Sequence, residues 1–153
     1  MASTTFSGPV TSTNGFIGNL TGNVTGNVAG TGKITHATTA AINATATATA
    51  AQVATGYITS TSAAATAITL PTGTLLGAAL GAVQGTVFDL YVDNTAGAST
   101  VTMVVAVNGI LSSAAADTPG SFGDLTIAAG ATGIARFTLM FASATAYVFT
   151  RTA

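Results

Sequence analysis

Between Gly18 and Gly30 the chain repeats a four-residue unit, Gly-Asn-Leu-Thr, Gly-Asn-Val-Thr and Gly-Asn-Val-Ala, closed by a further glycine. Glycine at every fourth position argues against a helix. Each one costs roughly 1 kcal/mol relative to alanine in a helix interior. Threonine and valine lose χ1 freedom there, and a period of four drifts by about 40° per unit against the 3.6-residue turn. An extended ribbon fits better. Residues of one parity share a face of a strand, so Leu20, Val24 and Val28 line up with the glycines, and Phe16 and Ile34 fall on the same parity. Asn19, Thr21, Asn23, Thr25 and Asn27 line the other face. Thr-Gly-Asn is also turn chemistry, so a winding coil with one turn per unit stays open. Either form leaves backbone donors and acceptors unpaired along its edges. Neighbouring chains or a larger surface would satisfy them. A plain flexible linker is the competing reading, but a linker has no need of a regularly placed aliphatic residue.

Composition points the same way. Only 5% of the 153 residues are charged, against about 25% in an ordinary soluble protein, and the net charge is -1. A monomer this poor in charge tends to associate, so much of its surface is expected to be covered by partners. There is no basic footprint for nucleic acid, and the aromatics are not interleaved with Lys or Arg as in a single-strand stacking platform. Cysteine is absent, which excludes disulfide staples. Met1 to Thr5 lacks the basic and apolar regions of a signal peptide. The best apolar run, Leu75 to Val83, is far short of the ~20 residues that cross a bilayer. The expectation is synthesis in a cytoplasm without export, with no membrane and no nucleic acid among the partners.

Three zones are legible. Residues 1–34 form the Gly/Asn/Thr-rich arm, residues 35–65 an Ala/Thr-rich connector, and residues 66–153 a folded domain. In the connector, Thr45 to Ala51 is low complexity; alternation of Ala with Thr favours extended structure, with a helix or a disordered spacer as alternatives. In the domain, Leu75 to Val83 suggests a short helix weakened by Gly77 and Gly81. Strands are expected over Val87–Val92, Thr100–Val107, Leu125–Ala128, Gly133–Ala142 and Ala146–Arg151, the last two as a hairpin. Asp93 to Gly97 is a turn cluster. Short strands between Gly/Pro/Asn turns imply an all-β chain: an extended arm followed by a small β-sandwich or jelly-roll-like domain.

Catalytic chemistry is hard to find. His36 is the single histidine, so no multi-histidine metal site is possible and a structural, hydrogen-bonded role is expected. Asp89 and Asp93 share a strand face about 13 Å apart, too far for the ~5 Å pair of a retaining glycosidase; Asp93 is expected to cap its turn. Asp117 and Asp124 flank the Pro119-Gly120 loop and are read as turn formers rather than cation ligands. No nucleophile elbow, phosphate loop or dinucleotide fingerprint occurs. Matches to the glycosylation pattern at Asn19, Asn23 and Asn43 are expected by chance in so Asn/Thr-rich a chain. Neither enzyme activity nor a cofactor is expected.

Phe6-Ser7-Gly8-Pro9-Val10 and Asn14-Gly15-Phe16, followed by the repeats, resemble the start of small structural proteins of tailed bacteriophages, above all head decoration or cement proteins. Leu70-Pro71-Thr72-Gly73, Phe88 to Asn94, Phe137 to Phe141 and Tyr147-Val148-Phe149 carry the likeness through the C-terminal part. The resemblance implies a homotrimer on the outer surface of the capsid that clamps subunits of the major capsid protein. On that reading Phe6, Pro9, Phe16, Leu20, Val24, Val28 and Ile34 make the assembly contacts. Similar repeats occur in phage tail fibres, so a tail-associated receptor-binding protein is the alternative.

Overall fold

The computed structural model describes residue 36, residues 38–111 and residues 124–152. The expected contact residues from Phe6 to Ile34, and Asp117, lie outside them. The described chain is mostly β, with two mixed sheets packed together and few helices.

The chain crosses between the sheets after almost every strand. β1 (Ala40–Ala41) lies in the first sheet and β2 (Ala46–Thr47) in the second. Helix α1 (Ala50–Ala54) leads back to β3 (Tyr57–Thr59) in the first sheet, and a corner leads to β4 (Thr66–Thr69) in the second. Helix α2 (Gly73–Leu80) returns to β5 (Val87–Asp93), and a corner leads to β6 (Val101–Val104). The result is three stacked coils. In the first sheet Ala40 pairs with Ile58 and Ile58 with Val92, all parallel. In the second, Ala46 pairs with Ile68 and Ile68 with Met103, again parallel. The corners stack too: Ser60 N–H donates to Asp93 O at 2.8 Å, Ala98 N–H to Ser62 O at 3.0 Å, and Thr61 N–H to the Asn43 side-chain oxygen at 2.9 Å.

The remaining strands close this stack. β7 (Gly109–Leu111) runs parallel to β10 (Ala146–Arg151), β8 (Thr126–Ile127) antiparallel to β6, and β9 (Ile134–Ser143) antiparallel to both β5 and β10. The first sheet therefore reads β1-β3-β5-β9-β10-β7 and the second β2-β4-β6-β8.

Period-two alternation builds the core as the sequence predicts. Phe137, Leu139 and Phe141 of β9 point inward with Tyr147 and Phe149 of β10. Phe137 and Phe149 stack with centroids 4.9 Å apart. These side chains meet Ile68, Val101, Met103 and Ile127 of the second sheet in one cluster; each large one contributes about 1.5–3 kcal/mol by leaving water.

Two expectations need correction. The packed layers match a sandwich, but jelly-roll order does not hold: parallel ladders dominate the coils, and β9–β10 is the one hairpin of consecutive strands among the described residues. The corners and helices send the chain to the opposite sheet, so its next neighbour in a sheet comes from a later coil. The Ala/Thr segment 35–65 is also not merely a connector. It supplies β1, β2, α1 and β3, and Ala40, Ile42, Ala48, Val53 and Ile58 join the core. Its small, mostly alanine side chains suffice because each coil stacks in register on the next. Within it α1 starts at a capping box: Gln52 N–H donates to Thr49 Oγ1 at 3.2 Å and Thr49 N–H to Gln52 Oε1 at 2.8 Å.

The Tyr147 hydroxyl is buried and donates to Pro71 O at 3.1 Å. Burial pushes its pKa up to about 12 from 10.0. Below pH 10 both folded and unfolded chains keep this proton, so stability is unaffected. Above it the unfolded chain ionises first, and stability falls by roughly 1.4 kcal/mol per pH unit until the folded value is reached. The thermal midpoint should therefore drop across that interval, with a shallower slope in Tyr147→Phe. Equal slopes would mean that the hydroxyl ionises freely in the fold.

Candidate functional site

The outward parity of β3, β5 and β9 builds a continuous face. In register it places Tyr57 beside Tyr91 and Tyr91 beside Arg136, with Thr59, Asp93 and Ile134 in the next row. Asp89 sits opposite Thr138, and Val87 opposite Met140. Over this face lies His36, its ring 6.2 Å from that of Tyr57 and 5.8 Å from that of Tyr91. Gly56 makes room for it: at φ 73° the backbone is left-handed, and a Cβ there would overlap the imidazole. These side chains line an open groove of about 580 Å³ with Val87, Asp89 and Ile134.

The polar groups on the face are tied to one another. The Tyr57 hydroxyl donates to Asp93 Oδ2 at 2.7 Å. That bond, with burial and the carboxylate's charge, raises the tyrosine pKa. Asp93 Oδ1 accepts from the Thr95 hydroxyl at 2.6 Å and the Thr95 N–H at 2.9 Å. The Thr95 bonds foremost, then the Tyr57 bond, hold its carboxyl below the usual range. Asp93 is thus the turn cap expected from sequence. Asp89 accepts from the Thr138 hydroxyl at 2.7 Å, and Arg136 Nε donates to Thr152 Oγ1 at 3.1 Å. His36 Nδ1 lies 2.9 Å from Thr55 O, the structural, hydrogen-bonded role its sequence context suggests.

Asp89 and Asp93 are separate, each held by hydroxyl groups. Among the described residues no group of three or more His, Asp or Glu is placed to hold a metal. Beside the polar rows stand Val87 at 56%, Met140 at 53% and Ile134 at 49% exposure. Asp124 lies elsewhere: Thr126 N–H donates to its Oδ1 at 2.9 Å, and Arg151 Nη1 pairs with its Oδ2 at 3.2 Å, tying the end of β10 to the approach to β8. No described helix is long and apolar enough to cross a membrane.

A second feature is the open end of the first coil. Among the described residues, β1 and β2 each have a strand neighbour on one side only. A shallow groove of about 290 Å³ runs along that end past Ala41, Asn43, Ala46 and Thr47 to Gln52. All of the assembly residues expected from sequence lie outside the described residues. The aromatic face was not anticipated. Alternation in Val87–Asp93 puts Asp89, Tyr91 and Asp93 on one side, but nothing local pairs Tyr91 with Tyr57 or brings His36 over both.

Comparison with protein-family models, with curated proteins and with solved structures finds no match to this chain.

Proposed function

We propose that the protein is a structural component of a tailed-phage virion, a capsid decoration protein that assembles as a homotrimer. On this reading it binds the outside of the head and stabilises contacts between major capsid protein subunits. The observation that carries the proposal is a sheet face with exposed Val87, Ile134 and Met140 in a chain with only 5% charged residues. Such a surface suits a stable protein contact. The arm with Phe6, Pro9, Phe16, Leu20, Val24, Val28 and Ile34 would supply the grip on the shell or on neighbouring copies. The Gly-Asn-aliphatic-Thr repeat by itself also favours a tail-fibre or receptor-binding role.

Copy number separates the two. Band intensity on a stained gel of purified virions, relative to the major capsid protein, should correspond to copies in the hundreds, as symmetric decoration requires. A handful of copies per particle would overturn the decoration reading and support the tail.

A further inference from the structure

Among the described residues the first coil ends in an edge with no further strand on it, and Ala46 and Thr47 there are exposed. Exposed edge strands are normally blunted by shortness, lysine, proline or a bulge, and here only shortness applies, each strand being two residues long. Here β1 is Ala40–Ala41 and β2 is Ala46–Thr47, with Asn43, Ala44 and Thr45 at the corner between them. The run from Ala40 to Thr49 has no charge and no proline. Ile42 N–H is used inward on Thr59 O at 2.9 Å and Ala48 N–H on Thr69 O at 2.8 Å. Backbone groups alternate in direction along a strand, so those of Ala41 and Thr47 face away from the stack.

The inner coils reveal what such an edge accepts. In β3 and β4 the pairing unit is an aliphatic–threonine dyad, Ile58-Thr59 and Ile68-Thr69. The isoleucines are fully buried and the threonines half-buried on the outer face. The chain that precedes His36 carries the same dyad as Leu20-Thr21, Val24-Thr25 and Ile34-Thr35. Elsewhere in the chain that precedes the first coil, the repeat supplies Asn and Gly rather than charge.

We infer that the open edge at β2 is completed by the Gly18–Gly30 segment of a neighbouring copy. One of its aliphatic–threonine dyads adds as a further parallel strand, the aliphatic side chain turned inward and the threonine outward. This is strand addition with an exchanged element, a low-cost route to closed oligomers. The segment, about 40 Å long when extended, can reach across to a neighbour. The inference rests on reading the repeat as an assembly arm, but it is tested without any virus particle.

The absence of cysteine makes the test clean. Thr47→Cys, at an exposed position, is combined in turn with Thr21→Cys and Thr25→Cys in the full chain, followed by mild oxidation and non-reducing electrophoresis. One of the two pairs should shift most of the protein to disulfide-linked dimers and larger species, while each single variant stays largely monomeric. Thr69→Cys with the same partners should not link, because β4 lies one strand, roughly 5 Å, further from the edge. Links formed within one chain would overturn the exchange between copies. No link in either pair, or linking as strong with Thr69→Cys, would overturn the strand addition. Either failure leaves virion copy number to judge the decoration role separately.

Discussion

Asn94→Asp should strip the protein of a large part of its stability at neutral pH. Asn94 sits fully buried where β5 turns toward β6. Its side-chain amide group donates toward three carbonyls, Ser99 O at 2.8 Å, Ala128 O at 3.0 Å and Ile127 O at 3.3 Å. One side chain thereby binds its own corner to the strand across the second sheet. Its Oδ1 is buried with no hydrogen-bond partner, and Gly97 packs so closely that a Cβ there would overlap that oxygen. Aspartate would point a carboxylate at three carbonyl oxygens, with no donor on its other side. A buried uncompensated charge costs about 3–5 kcal/mol or more, against a total stability of about 5–15 kcal/mol for a domain of ordinary size. Asn94→Ala removes the donor without adding charge and should cost about 2–4 kcal/mol, since the carbonyls lose their partner.

The pH dependence gives the mechanism a signature. The folded environment raises the pKa of the introduced carboxyl, so the variant is at its best below the unfolded value and loses stability as pH rises. Urea unfolding at acidic and neutral pH reads this directly. A variant within about 1 kcal/mol of the parent at neutral pH would show that water reaches Asn94 and shields the charge.

Gly77→Val should have an effect of similar size by a different route. α2 packs on the turn between β9 and β10 through two glycines one helical turn apart. A Cβ at Gly73 would overlap the carbonyl oxygen of Thr145, and one at Gly77 that of Ala144. Backbone lies against backbone, so no side-chain rotation relieves the clash. Overpacking of this kind costs about 1–3 kcal/mol and sometimes more; with two methyl groups against a fixed carbonyl, loss at the upper end is expected. Gly77→Ala is the sharper comparison. In a helix interior that change normally stabilises by roughly 1 kcal/mol, whereas here it should destabilise. A raised melting temperature for Gly77→Ala would show that α2 stands off the turn. Gly81 has open space around it, but it ends the helix at φ 58°, so alanine there costs only left-handed strain.

These two sites show where sequence reading stops. Gly77 looks like a weakness in a helical pattern; its reason is a turn some 67 residues away, taking Ala144 as its partner. Asn94 reads as a turn residue, which it is, but its carbonyl partners on Ile127 and Ala128 come from a strand that local pattern cannot bring near. Thr49-Ala50-Ala51-Gln52 is different: the structure shows a capping box there, a helix start that the surrounding Ala/Thr alternation hides behind its preference for extended structure. That tract yields both, β2 followed at once by α1.

By itself the sequence determined the β character of the chain, the inward faces of β5, β9 and β10, the hairpin between the last two, the Asp93 turn and a composition with only 5% charged residues. Each follows from neighbours within a few residues, where side-chain parity and turn chemistry act. Only the tertiary structure decided that the strands stack as parallel coils, that an alanine-rich tract belongs to the core, and that His36, Tyr57 and Tyr91 share one face. These depend on register between segments tens of residues apart. Alanine and threonine specify such a register weakly when alone, and become decisive once Ile58, Ile68 and the strands behind them fix what lies opposite.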